Sequence, residues 1–225
     1  MSSSLPEPLR LPVVVLISGA GTNLVAIAEA TRRGLPLAIR AVLSDRPAAV
    51  GLERARVLGI PAAALASQDY PDREAYDAAL AARIEGYAPR LVLLAGYLRI
   101  LSPAFVARFA GRLVNIHPSL LPQFRGLHTH ERALAAGVAE HGATVHFVVD
   151  ELDGGPRIAQ VRVPVVPGDN ERSLAARVLA REHVLYPAVL GWFASGRLEW
   201  RDGAAWLDGR RLAEPVQLRD DDAAH

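Results

Sequence analysis

Apolar runs bounded by turn residues set the rhythm of the first half of the chain. "LPVVVLI" (Leu11–Ile17) is continuous and β-branched, the pattern of a strand buried on both faces. "LVAIAEATRRG" follows with apolar residues at helical spacing and Gly34 where a C-cap belongs. "LAIRAVLS" (Leu37–Ser44) predicts a second strand, a helix runs over about 48–58, and "IPAAAL" predicts a third strand. "DREAYDAALAARIEGY" (Asp72–Tyr87) is amphipathic, with Asp72 placed to cap it. "LVLLAG" (Leu91–Gly96) predicts another buried strand. "SPAFVARFAG" supplies Ser as N-cap, Pro at the first helical position and Gly at the end. Strand and helix in alternation imply right-handed βαβ crossovers and a parallel sheet covered on both faces.

The second half changes character. "ATVHFVV" (Ala143–Val149) and "IAQVRVPVV" (Ile158–Val166) flank "DELDGGPR", which predicts an antiparallel pair joined by a tight turn. A long helix spans about 171–195, and Pro187 is expected to bend it. "LEWRDGAAWLDGRRLAEPV" carries D-G turn signals and predicts a small hairpin, after which "RDDDAAH" is expected to be disordered. The division is a disordered tail over 1–10, a main domain over 11–198, and a short hairpin and tail over 199–225.

One strand breaks the apolar pattern. In "LVNIHPSLLP", Asn115 and His117 alternate with Leu113, Val114 and Ile116 before two prolines end regular structure. Residues two apart on a strand share a face. This face lies at the C-terminal end of a parallel strand, where open α/β sheets bind ligands. An amide and an imidazolium aimed at one point suit an oxyanion. The imidazolium needs a carboxylate beside it, and Asp153 in "DELDGGP" is the best candidate; D-G-G is also ordinary turn chemistry.

Composition narrows the chemistry. The 225 residues are 51% hydrophobic and 22% charged, with a net charge of +1 that supplies no basic field for nucleic acid. There is no cysteine, and all 25 basic residues are arginine. Thiolate nucleophiles, Cys-ligated zinc, a Schiff-base lysine and a P-loop lysine are therefore excluded. "MSSSLPEPLR" lacks a signal-peptide pattern, and no apolar run reaches the ~18 residues of a membrane helix. The expectation is a cytoplasmic chain that binds neither membrane nor nucleic acid.

"SGAGTNL" sits between a strand and a helix start, where backbone N–H groups and the helix dipole favour an anion. It is not a dinucleotide fingerprint, because Leu24 holds the third glycine position. A phosphate turn and a structural strand–helix turn both remain open. His128 and His130 in "GLHTH" have the look of a metal pair without a second ligand cluster. His146 lines the same cleft or is a core histidine. Apolar Leu98, Ile100 and Leu101 wall a pocket for a flat ring or pack the following helix.

Taken together, "VVLISGAGTNL", "LVLLAGYLRILSPAFV", "VNIHPSLLPQFRGLHTHERAL", "TVHFVVDELDGGPRIAQVRVPV" and "REHVLYPAVLGWFASGRL" resemble the glycinamide ribonucleotide formyltransferases in order and spacing, from about Leu11 to Leu198. The resemblance implies the formyltransferase fold: an α/β, Rossmann-like, mostly parallel sheet with helices on both faces and antiparallel additions in the C-terminal half. It implies formyl transfer from 10-formyltetrahydrofolate to glycinamide ribonucleotide without a metal, in a monomer or homodimer. It carries catalytic roles onto Asn115, His117 and Asp153. Ribonucleotide contacts fall on Gly21, Thr22, Asn23 and Glu182. Folate contacts fall on Arg73, Leu98, Arg99, Ile100 and Leu101, with Asn115 shared. Ala20 stands where an Asn is common, Thr22 replaces Ser, and Arg125 leans toward the loop of methionyl-tRNA formyltransferase, which carries an RNA-binding domain this chain has no room for. Formyltetrahydrofolate hydrolase is the alternative enzyme, and a non-catalytic nucleotide- or folate-binding module the contrasting class.

Overall fold

A computed structural model describes residues 10–219. The expected tails over 1–10 and 219–225 fall, but for Arg10 and Arg219, outside the described residues. Eight strands form the main sheet: β1 (Leu11–Ile17), β2 (Leu37–Ser44), β3 (Ala62–Ala64), β4 (Leu91–Leu94), β5 (Leu113–His117), β6 (Glu140–Phe147), β7 (Arg157–Pro164) and a strand near the C-terminus, Val216–Gln217. Six α-helices accompany them among the described residues: α1 (Thr22–Arg32), α2 (Val50–Val57), α3 (Arg73–Glu85), α4 (Pro103–Arg108), α5 (Thr129–Ala135) and α6 (Glu171–Ala194). Three further strands, β8 (Leu198–Arg201), β9 (Ala204–Leu207) and β10 (Arg210–Arg211), make a separate antiparallel meander, so Val216–Gln217 is β11.

The order across the main sheet is β11-β7-β6-β5-β4-β1-β2-β3. From β3 to β5 every pairing is parallel; β6 then runs antiparallel to β5 and to β7. Both faces are covered, as continuous apolar strands require. Val13, Val15 and Ile17 pack with α1, α2 and α6, while the alternating Val14 and Leu16 pack with α3 and α4. The caps follow the sequence: Asp72 accepts from the Ala75 N–H and Ser102 from the Phe105 N–H, with Pro103 in the first turn of α4.

Three details differ from the sequence pattern. β4 stops at Leu94, because the chain leaves the sheet there as an irregular segment over 95–101. The β6–β7 connection is no tight turn but runs from Val148 to Pro156, long enough to reach over the end of β5. The C-terminal D-G signals do give antiparallel strands, but the chain then returns to the main sheet as β11, parallel to β7. Two residues are too short to show a period, so their pairing is decided by packing alone. α6 runs unbroken through Pro187.

Strands β2 and β4 leave β1 on opposite sides, so the order reverses between β1 and β4. The C-terminal ends of β1, β4 and β5 open on that crevice, the ligand position of an open α/β sheet.

Candidate active site

β5 places Asn115 and His117 on one face, and the antiparallel register sets Asn115 opposite His146 and His117 opposite Thr144. The β6–β7 connection brings Asp153 over this face. Its Oδ2 lies 3.4 Å from His117 Nδ1 and accepts the Gly126 N–H at 2.8 Å. His117 Nε2 lies 3.0 Å from the Phe124 carbonyl. Both ring nitrogens thus face oxygen acceptors, which the doubly protonated ring serves at once. Asp153 adopts φ 49°, a left-handed conformation that Asp tolerates better than most residues.

His146 fixes the amide of Asn115. Its Nδ1 donates to the Phe147 carbonyl at 2.9 Å, so its Nε2 is left to accept from Asn115 Nδ2 at 3.1 Å. Burial pushes the His146 pKa down, which keeps the ring neutral and able to accept. The 3.7 Å separation between His146 Nε2 and Asp153 Oδ1 is therefore no ion pair. One N–H of Asn115 is held by His146, and the other is free to face a ligand.

Two cavities meet here. The smaller is walled by Leu94, Leu101, Val106 and Val148 and reaches Asp150. The larger is lined by Asn23, His117, Pro118, His130, Glu171 and Glu182, among others. Asn115, Asp153, Tyr97 and Arg99 border both. One cavity fits a flat apolar ring with polar edges; the other is a wider cleft, largely apolar but carrying Asn23, His117, Glu171 and Glu182 on its walls. The arrangement can hold two reactants with their reacting atoms near Asn115 and Asp153.

In the wider cleft, Asn23 at the start of α1 donates from Nδ2 to Glu182 Oε2 at 2.6 Å, tying the turn to α6. Burial raises the Glu182 pKa against the lowering effect of that hydrogen bond. Asn23 Oδ1 is buried without a hydrogen-bond partner. Gly21, at φ 69°, turns the chain ahead of α1, and a Cβ there would stand 2.8 Å from Gly51 Cα. Asn23 lines the cleft; Gly21 and Thr22 lie just before it on the turn. Leu98, Arg99 and Ile100 line the wider cleft and Leu101 the smaller cavity. Arg73 is not brought to either: it sits exposed at the start of α3, 3.5 Å from Glu74.

His128 and His130 do not converge on a common ligand point. His130 Nδ1 meets the buried His141 Nε2 at 3.2 Å, and no group of three metal-binding side chains occurs among the described residues. Burial, helped by His130 and His117, brings the His141 pKa down to about 4, and burial lowers that of His130 as well. In the unfolded chain these rings titrate near ~6.5. Between those values the unfolded state binds more protons, so stability rises with pH there. The contribution of His141 is therefore complete above about pH 6.5 and falls toward pH 4, by up to about 1.4 kcal/mol per pH unit, and the lowered His130 acts in the same direction. Urea melts at pH 7.5 and pH 5 check this; equal midpoints would remove the buried histidines from the balance.

Sequence reasoning did not find the Phe124 carbonyl or the Gly126 N–H, since backbone groups leave no signal in residue identity. Nor did it assign His146 to Asn115; only the strand register supplies that pairing. The turn carrying Asp153 has its own requirement. A Cβ on Gly155 would lie 1.9 Å from the Phe147 carbonyl oxygen. Gly155→Ala is expected to cost about 1–3 kcal/mol of stability and to lower turnover by moving Asp153. Thermal melts and turnover measured together test this, and an unchanged melting temperature would contradict it.

Comparison with known proteins places these features. A model of the formyl transferase family matches residues 11–190. The phosphoribosylglycinamide formyltransferase of Escherichia coli (strain K12) is 56% identical over 201 residues, covering 89% of this chain and 95% of that protein. The human trifunctional purine biosynthetic protein adenosine-3 is 42% identical over 194 residues, 86% of this chain and 19% of that protein. The solved structure of the phosphoribosylglycinamide formyltransferase of Coxiella burnetii in complex with CHES matches with a TM-score of 0.90 at 48% identity, covering 93% of this chain and 100% of that one.

Proposed function

The chain belongs to the formyl transferase family, and we propose that it transfers the formyl group of 10-formyltetrahydrofolate to the amine of glycinamide ribonucleotide. The products are formylglycinamide ribonucleotide and tetrahydrofolate, a step of de novo purine (IMP) synthesis. The observation that carries this reading is the meeting of two cavities at Asn115 and Asp153, with His117 beside them. The substrates are small molecules. The formylfolate is a co-substrate that donates its one-carbon group.

The ring of the formylfolate occupies the smaller, apolar-walled cavity, against Arg99, Ile100, Leu101 and Asn115, with Leu98 meeting it from the side of the wider cleft. The ribonucleotide occupies the wider cleft, with its phosphate at Gly21, Thr22 and Asn23 and a contact from Glu182. The amine attacks the formyl carbon directly and a tetrahedral intermediate forms. The free N–H of Asn115 holds its oxyanion, and the His117 ring beside it supplies positive charge when protonated. Asp153 keeps His117 charged and passes a proton through water from the attacking nitrogen to the departing folate nitrogen. Much of the acceleration comes from holding amine and formyl carbon together. Arg73 meets the outer, exposed end of the folate. The chain acts as a monomer or homodimer. We place it in the cytoplasm; among the described residues no helix is long and apolar enough to cross a membrane.

Hydrolysis of formylfolate would need no contact such as Asn23 and Glu182 make at a phosphate turn. A single assay separates the two. Deformylation of 10-formyltetrahydrofolate is expected to require glycinamide ribonucleotide. Turnover at the same rate without it would establish hydrolysis, and tight binding with no turnover would establish a binding module.

A further inference from the structure

The two half-sites are carried by different strands: the turn toward Asn23 follows β1, and the wall over 96–101 follows β4. Ser18, the residue between β1 and that turn, joins them. It is 1% exposed and lines neither cavity. Its N–H donates to the Gly96 carbonyl at 3.0 Å, and its hydroxyl accepts the Leu98 N–H at 2.9 Å. The hydroxyl proton goes to Asp45 Oδ1 at 2.6 Å. Asp45, just after β2, is itself buried at 8% exposure. A hydroxyl has one proton; with that proton on Asp45, a lone pair must face Leu98.

Farther along, the wall is pinned again. The Ser102 N–H donates to the buried Asp77 Oδ2 at 2.6 Å. Between the pins, the Tyr97 and Tyr76 hydroxyls meet at 2.9 Å, and the Arg99 guanidinium lies 4.5 Å from the Tyr76 ring centroid. Leu98 to Ile100 are thus a short irregular stretch whose position against the β1 turn is set at its near end by Ser18.

We propose that Ser18 is a positioning residue for the transfer, with Asp45 orienting its hydroxyl: the pair sets the spacing between the ribonucleotide turn and the folate wall, and so between amine and formyl carbon. This rests on the reading under Proposed function. Without the hydroxyl, the Leu98 N–H loses its partner and Asp45 keeps only Arg46, 3.8 Å from its other oxygen, and the wall relaxes away from the turn. A displacement of about 1 Å between reacting groups costs on the order of 100-fold in rate.

The test combines steady-state kinetics, with each substrate varied in turn, and calorimetric titration of tetrahydrofolate. Ser18→Ala is expected to lower kcat by about 10- to 100-fold and to weaken formylfolate and tetrahydrofolate several-fold, with the ribonucleotide KM within about 2-fold. Asp45→Ala should reproduce that pattern, and the double variant should be no worse than the poorer single, since both remove one link. Asp45→Asn keeps an oxygen acceptor for the hydroxyl and should recover most of the activity. Unchanged kcat and folate affinity in Ser18→Ala overturn the proposal. So does an equal rise in both KM values tracking a lower melting temperature, the mark of general loosening. If Ser18→Ala does not fold, the contrast between Asp45→Ala and Asp45→Asn decides, and equal activities count against the link. Should the parent deformylate without ribonucleotide, the functional reading fails instead. Tetrahydrofolate titration still tests the clamp in that event.

Discussion

Asp153→Asn is expected to lower kcat by about 10²- to 10⁴-fold while both KM values stay within a few-fold. One carboxylate oxygen serves two neighbours and brings a negative charge to His117, and a carboxamide cannot supply that charge. Oδ2 accepts the Gly126 N–H and faces His117 Nδ1. An amide with NH2 at that position sets donor against donor; the reverse orientation keeps the acceptor and removes the charge. Either way His117 loses its negative partner. Asn is a clean probe because it accepts the left-handed backbone at this position nearly as readily as Asp. The fold should therefore survive, and the loss should appear in single-turnover chemistry at saturating substrates. A variant that still turns over within a few-fold of the parent would take Asp153 out of the reaction.

Asn115→Ala carries the second large effect. Removing one oxyanion donor typically costs about 10²- to 10³-fold in kcat, or about 2.7–4 kcal/mol of transition-state stabilisation. Here the substitution also leaves the buried His146 Nε2 without its donor. Some stability should go with it, roughly 1–3 kcal/mol. The two consequences are separable, since the rate loss persists at temperatures where the variant is fully folded. Folate affinity should weaken as well, because Asn115 borders the smaller cavity. Rates near the parent's in the folded variant would show that the oxyanion is held elsewhere.

Most of the framework was legible because its signals are local. β1 announces itself as a continuous β-branched run and β2 as an apolar run interrupted only by Arg40, and α3 and α4 through Asp72, Ser102 and Pro103 at their starts. The Asn115–His117 pair was legible as one face because strand period is simple. Its environment was not. Asp153 lies far along the chain, and its reach to His117 depends on the length of the β6–β7 connection. The part played by His146 depends on which residue stands opposite Asn115. β11 has two residues, too few for a pattern, and Arg73 lies outside the cavities despite its place in a family motif. The unread features are those set by tertiary geometry rather than by residue type.

The strand order has one more consequence, for association rather than catalysis. The main sheet ends on β11, with two residues, and on β3, with three. Very short borders leave little exposed backbone for another chain to pair with, a protection against edge-to-edge aggregation. β7, with eight residues, is shielded on one side by β11 over Ala159 and Gln160. The return of the chain after the meander therefore does more than extend the sheet. Cutting the chain ahead of Val216 would bare Ala159 and Gln160 and leave β7 without a paired neighbour along that whole edge, and loss of solubility should precede loss of fold.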